Sequence, residues 1–361
     1  MDQNFSKKIS NIPEDKFLTG NNFAKISDVI YSEAIDINES NNLDTNNIET
    51  SYTLEENIFI YSLKNFSLKE NQIIFCKSDY LLDLFAKLQN VKFSNIKLIT
   101  GQAATPSVDK KLFKLKPSCI SEWYSINVKY LHKSLIPIPL GLGNNFSDVN
   151  LHPQDFINNY QDNNLSRINK IFCSFNINTN SVREEYMETA QSNKSLFFVI
   201  NEKINKYKFF ENLKKYNYVL SPPGYGVDTH RFWESMYSGC VPVTKKNYIY
   251  DKYFYDHYLA FENIEELNLD SNKVTNLNDN LIEKLTLDFW IKIIKSKNIV
   301  SDDTYISVPG NSDYQYNRVK LRKKYIRYKI LNSELSFKLK FIDYFKTHYD
   351  FDEKLFRKYW Y

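Results

Sequence analysis

Residues 218–244, YVLSPPGYGVDTHRFWESMYSGCVPVT, constrain the chain more than any other stretch. The pattern predicts a buried strand over 218–221, a Pro/Gly loop over 222–227 and a helix over about 228–238. Gly239 then stops the helix, and a second strand follows over 241–244. This is a β-loop-α-β unit, the repeating element of a parallel sheet covered by helices.

The chemistry of that unit points to a bound anion. Pro222 and Pro223 stiffen the strand exit, while Gly224 and Gly226 permit backbone angles and close approaches that a Cβ would forbid. Asp228 or Thr229 is placed to cap the helix, whose free N–H groups and positive dipole end would face the space above the turn. His230 and Arg231 add donors and positive charge where a first helical turn ordinarily carries carboxylates. A diphosphate would compensate them. Glu234, at i+4 from His230, is placed to accept hydrogen bonds from a ribose diol.

The string G-Y-G-V-D-T-H-R-F-W-E-S-M-Y-S-G-C-V-P-V resembles the donor-site signature of exostosin-like glycosyltransferases, in which G-x-G-x-D-x-H-R-x-W-E precedes G-C-x-P. A looser T-[EH]-[KR]-x-W followed by G-x-V-P-V is similar to the α1,3-fucosyltransferase donor motif. Two further stretches are similar to the same group: CISEWYSIN through IPIPLGL, where a W-x-x-x-N helix precedes an I-P-x-G-L strand, and the N-x-N-T-x-x-x-R loop ending at Arg183. The resemblance implies an α/β protein of the GT-B fold, with two Rossmann-like domains facing a cleft and C-terminal helices packing back across both. It implies an N-terminal acceptor domain over 1–165, a nucleotide-sugar domain over 166–305 and basic C-terminal helices over 306–361.

The activity implied is inverting transfer of a sugar from a nucleotide-diphosphate sugar, UDP-linked or in the competing reading GDP-fucose, to a glycan, lipid-linked or protein-linked acceptor. Arg183, Gly224, Tyr225, Gly226, Asp228, His230, Arg231 and Glu234 would hold the donor, with Arg231 also stabilising the leaving group. GT-B enzymes generally manage this without a metal, through a helix dipole and cationic side chains, so neither metal nor cofactor is expected. The one DxD, at Asp350 and Asp352, lies in the basic tail. Asp79, at the end of a strand, and Glu122, beside Trp123, are the candidate general bases. Relatives of this type often carry an acid after the strand matching KLIT, where this chain has Ala103 and Ala104, so the base stays open. His132 reads as a satisfied surface or core histidine.

Composition limits the alternatives. A chain of 361 residues, 16% of them aromatic, can fill the cores of two ordinary domains. Cys76, Cys119, Cys173 and Cys240 have no CxxC spacing and read as buried thiols in a reducing compartment. The first residues carry no apolar leader and no run of about 18 apolar residues occurs, which predicts a soluble, cytoplasmic protein. The net charge of +4 hides an asymmetry, because residues 317–361 hold 13 Lys or Arg against 5 Asp or Glu. That tail reads as two or three helices packed across both domains with their charge solvated. Peripheral contact with a membrane surface is kept as an alternative partner; nucleic acid is not.

Taken in order, residues 1–22 read as polar and irregular, 23–35 as the first strand, and 38–51 as a solvated loop. Strands follow over 57–63, 73–76, 97–100 and 135–140, with a helix or turn ending near Trp123. After a boundary near Ser166 come strands over 170–175, 196–200 and 258–261, with helices over 207–215 and 285–294. A non-catalytic nucleotide- or glycan-binding protein of the same architecture, with the tail as partner surface, is the alternative from outside the enzyme class.

Overall fold

The computed structural model describes residues 3–158, 166–269, 278–296, 306–308 and 317–325. Met1–Gly310 forms one compact unit and Asn311–Tyr361 a second, of which a helix over 317–325 is described. The remaining expected tail helices and the Asp350/Asp352 pair lie outside the described residues.

The protein is a mixed α/β structure with parallel sheets. Its first sheet has the order β2-β3-β1-β5-β6-β7-β8. These strands are β1 (Val29–Asp36), β2 (Ile48–Leu54), β3 (Ile58–Leu63), β5 (Ile73–Lys77), β6 (Ile96–Gly101), β7 (Ile120–Ser125) and β8 (Leu135–Pro137). From β1 to β8 the pairing is parallel, and β3 and β2 extend the edge as an antiparallel hairpin. Every residue of β5 and β6 is buried, as continuous apolar runs such as Ile73-Ile74-Phe75-Cys76 require when helices cover both faces. A short β4 (Phe66–Leu68) pairs with β14 (Ile306–Val308).

The second sheet is parallel throughout, with the order β10-β9-β11-β12-β13. It comprises β9 (Ile168–Cys173), β10 (Phe197–Val199), β11 (Tyr216–Leu220), β12 (Val241–Lys245) and β13 (Leu259–Phe261). In chain order this is 2-1-3-4-5, so the winding reverses between β9 and β11. Doubly wound sheets bind ligands in the crevice beyond the carboxyl ends of the strands at such a reversal. The loops leaving β9 and β11 begin at Ser174 and Ser221. The expected boundary near Ser166 falls between the sheets, and one continuous apolar cluster contains Phe75 and Ile99 from the first together with Phe172 and Val219 from the second.

Four expectations from the sequence are corrected. Residues 1–22 are not irregular: they contain a helix at Gln3–Ser10, a 3₁₀ turn at Glu14–Lys16 and the start of a helix at Gly20–Lys25. Phe5, Ile9 and Ile12 recur at helical spacing and are buried with Phe17 and Leu18 in the same apolar cluster. Each such burial contributes up to about 1.5–3 kcal/mol, which outweighs the polar average of the segment. The first strand starts at Val29 because Thr19 caps a helix before it, its side chain accepting from the Asn22 N–H.

The segment around Trp123 is strand β7 and not a helix or turn. Its register beside β6 puts the Trp123 ring against Phe85 and Phe113, with Nε1 donating to Thr100 Oγ1 at 2.9 Å. Residues 38–51 are two 3₁₀ turns followed by the first half of β2. All four cysteines are free and buried.

Candidate functional site

The 218–244 stretch folds as its pattern predicts: β11, a loop, a helix at His230–Tyr237, and β12. Gly239, at φ +70°, ends the helix with two bonds, from its own N–H to Met236 O and from Cys240 N–H to Ser235 O. That pair is a Schellman motif, and the left-handed backbone explains the glycine. At the other end Thr229 is the N-cap residue but makes no side-chain capping bond, and its Oγ1 is buried without a partner. The helix therefore presents its first N–H groups and its positive end without a side-chain cap.

The loop glycines act by close approach and not by left-handed backbone angles. A Cβ on Gly226 would lie 2.3 Å from Asn127 Oδ1, and one on Gly224 would lie 3.1 Å from Arg183 Nη2. Both contacts are within the protein. Asn127, at the end of β7, accepts from the Asp228 N–H at 2.8 Å, so the first sheet reaches across to set the loop.

Arg183 and Arg231, expected to share one role, have different surroundings. Arg183 Nε, Nη1 and Nη2 donate to the carbonyls of Pro223, Asn176 and Pro222 at 2.8, 2.8 and 3.0 Å. It thus staples the two loops that flank the winding reversal. Burial, then the nearby Arg231 charge, pulls its pKa down to about 10. Arg231 instead lies over the Phe209 ring, 3.6 Å from the centroid, with its Nε 3.9 Å from Glu234 Oε2. Nη1 of Arg231 is buried with no hydrogen-bond partner. The guanidinium is thus stacked on an aromatic face with a buried donor left over.

Asp228 is a bolt between the sheets. Its Oδ2 accepts from the Leu140 N–H at 2.8 Å, and its Oδ1 accepts from Trp233 Nε1 and Tyr250 Oη at 2.9 and 2.8 Å. Burial raises its pKa to about 6, against the pull of those donors. Glu234 is buried as well, and its Oε1 accepts from the Leu151 N–H at 2.9 Å, leaving Oε2 beside Arg231. His230 Nδ1 lies 2.8 Å from Gly141 O. Loops from the first sheet, at Asn127, Leu140, Gly141 and Leu151, therefore hold the segment from Asp228 to Glu234 at four points.

A cleft of about 1180 Å³ lies beside this segment. Loops after β6, β7 and β8 line one side, including Gln102, Ala103, Ala104 and Leu140; loops after β9 and β11 line the other. Gly224, Tyr225, Gly226, Asp228, His230, Arg231, Glu234 and Arg183 all line it, with Thr229 and Phe209. The sequence reading named those residues apart from Thr229's cleft role and Phe209. Tyr225 is exposed.

The two candidate bases are elsewhere. Asp79 follows β5 as expected but pairs with Lys77 and is not among the lining residues. Glu122 sits early in β7, accepts from Tyr124 Oη at 2.8 Å and lies 3.9 Å from Lys97. No Asp or Glu from the first sheet's side lines the cleft among the described residues. Glu33, buried on β1, contacts that wall through Gln102: its Oε1 accepts from Asn21 Nδ2 at 3.1 Å and Gln102 Nε2 at 3.4 Å. Burial raises it to about 8. His132 is at the surface end of a small aromatic group with Phe113 and Tyr130. Among the described residues no group of three or more His, Cys, Asp and Glu could hold a metal ion, and no helix is long and apolar enough to cross a membrane.

No family model matches the chain, and no curated protein matches it. Among solved structures, a crystal structure of an alpha1,3-fucosyltransferase matches with a TM-score of 0.30 and 14% sequence identity, over 66% of this chain and 82% of that one.

Proposed function

We propose that the cleft binds the diphosphate of a nucleotide sugar and that the protein is a glycosyltransferase of the GT-B type, each sheet forming one Rossmann-like lobe. The observation that carries this reading is Arg231, whose Nη1 is buried without a partner beside an uncapped helix N-terminus at the winding reversal of a parallel sheet. Positive charge and free N–H groups at that point favour a diphosphate, and favour it more as charge builds up on it. In the transfer, an acceptor hydroxyl attacks the anomeric carbon, the bond from that carbon to the diphosphate oxygen breaks, and the nucleoside diphosphate leaves with the electron pair. Arg231 and the helix end would stabilise that leaving charge through fixed dipoles and donors, without a metal. The hydroxyl proton goes to a base in the inverting scheme. The exostosin-like assignment is carried chiefly by the 218–244 motif, with the CISEWYSIN–IPIPLGL and N-x-N-T-x-x-x-R stretches beside it, and GDP-fucose remains the chief competitor to UDP-sugars as donor. A cytoplasmic enzyme with its basic tail against an acidic membrane surface would suit a lipid-linked acceptor.

A second reading has its own observation. Neither Asp79 nor Glu122 lines the cleft, and Ala103 and Ala104 stand where relatives often carry an acid. A nucleotide- or glycan-binding protein without transfer activity fits that wall. A thermal-shift screen against UDP, GDP, CMP and their sugars tests the shared claim, since a ligand that binds only the folded state raises the melting temperature. Release of UDP or GDP from the sugar nucleotide that stabilises the protein, with and without EDTA, separates enzyme from binder and tests metal independence.

A further inference from the structure

His230 is the cleft residue whose chemistry the structure restates most sharply. Its place at the first position of the helix, beside Arg231, suggests a second phosphate donor. The ring's surroundings argue otherwise. Nδ1 lies 2.8 Å from the carbonyl oxygen of Gly141, and a carbonyl oxygen can only accept, so Nδ1 carries a hydrogen. The other ring nitrogen, Nε2, makes no hydrogen bond to a described residue.

Gly141 is held rigidly enough to impose this tautomer. Its φ is +74°, a Cβ there would lie 2.0 Å from Leu18 O, and the next N–H, of Leu142, donates to that same oxygen at 2.8 Å. The accepting carbonyl is thus fixed by a loop tied to the N-terminal segment. A second proton on Nε2 is disfavoured by burial, and also by the Arg231 charge and the positive helix end, with only Glu234 and the Gly141 carbonyl favouring it. The His230 pKa is accordingly lowered. A neutral ring with hydrogen on Nδ1 offers a lone pair at Nε2.

We infer that His230 serves as a hydrogen-bond acceptor in the cleft, so that the ligand presents a hydroxyl group next to the anionic group held by Arg231. This deepens the nucleotide-sugar reading and rests on it. The chemical class is a diphosphate ester bearing a ribose or sugar hydroxyl within one residue's reach of its phosphates, and His230 selects for that hydroxyl without contributing charge to the diphosphate.

Titration calorimetry of UDP, GDP, their sugar esters and inorganic pyrophosphate into the full chain and its His230→Asn and His230→Gln variants tests the inference. Asn keeps a donor for Gly141 and places nothing at the position of Nε2, whereas the Gln amide reaches that position with an acceptor. His230→Asn is expected to weaken the nucleotide that binds about tenfold and leave pyrophosphate unchanged, and His230→Gln to recover most of the loss. Equal loss for nucleotide and pyrophosphate would make His230 a phosphate donor and overturn the inference; so would no loss for either.

Nitrogen-15 NMR of the wild-type ring tests the same claim with no ligand and no variant. Hydrogen on Nδ1 alone at pH 7 is expected, and a doubly protonated ring contradicts the inference. If neither nucleotide nor pyrophosphate binds the wild type, the nucleotide-sugar reading itself is lost, whatever the tautomer.

Discussion

Asn127 leaves no room for a side chain at Gly226: a Cβ built there meets Oδ1 at 2.3 Å and Nδ2 at 2.4 Å. The same Oδ1 accepts from the Asp228 N–H, so one amide from the first sheet both excludes a side chain and fixes the start of the helix. Gly226→Ala must displace that amide, at a cost of about 1–3 kcal/mol. Because Asn127→Ala removes the obstacle, the double variant should lose less than the sum of the single losses. Urea denaturation of the four proteins gives the coupling, and strict additivity would show that the two residues do not compete for the space.

The buried N-terminal helix predicts that Phe5 belongs to the fold and is not part of a loose leader. Phe5 packs within the cluster that also holds Phe17 and Trp233. Phe5→Ala should cost about 3–5 kcal/mol. An unchanged urea midpoint would put the first helix outside the cooperative unit.

Glu33 makes stability depend on pH. Burial lifts its pKa from the ordinary 4.5 to about 8, so the folded chain keeps a proton that the unfolded chain releases. The stability this contributes is fully present below about pH 4.5 and is lost as pH rises through about 8, with a slope approaching 1.4 kcal/mol per pH unit in between. Glu33→Gln keeps an acceptor for Asn21 and carries no proton to lose. Between pH 5 and 8 the difference in stability between variant and wild type should grow in the variant's favour; a constant difference would mean that Glu33 titrates near its ordinary value.

Arg183 should behave as a structural staple. Losing three bonds leaves the buried Pro222 carbonyl and the part-buried Pro223 and Asn176 carbonyls unpaired, so Arg183→Ala should lower stability by about 1–3 kcal/mol. Lysine cannot reproduce a planar fork reaching three carbonyls and should recover little of the loss. Full recovery in Arg183→Lys would show that only charge matters there.

The β-loop-α-β unit was legible because its signals are local: prolines and glycines at the turn, apolar spacing in the helix, and a glycine whose left-handed backbone stops it. The part of the cleft lining that runs from Pro222 to Glu234 was legible for the same reason, since it sits in that one unit, whereas the rest of the lining comes from loops scattered along the chain, such as those at Gln102, Leu140, Asn176 and Lys206. Which side chains have donors and acceptors left to offer was not legible. Asp228, Glu234 and His230 are engaged by Leu140, Leu151 and Gly141, whose positions follow from the facing of two sheets and not from spacing within a motif. The N-terminal helix was hidden by its polar average, although Phe5, Ile9 and Ile12 carry the helical period. Strand β7 was obscured because the WYSIN stretch fits a helical motif as readily as an alternating one, and only pairing beside β6 decides between them.

Arg231 tests the central claim most directly. Titration of the stabilising nucleotide into Arg231→Ala, with the melting temperature measured alongside, separates a ligand-facing cation from a structural one. Affinity should fall at least tenfold while the melting temperature stays within a few degrees of wild type, because a guanidinium with an unpartnered buried Nη1 holds little of the fold together. Undiminished affinity, or a protein that melts far earlier while binding as before, would contradict the account.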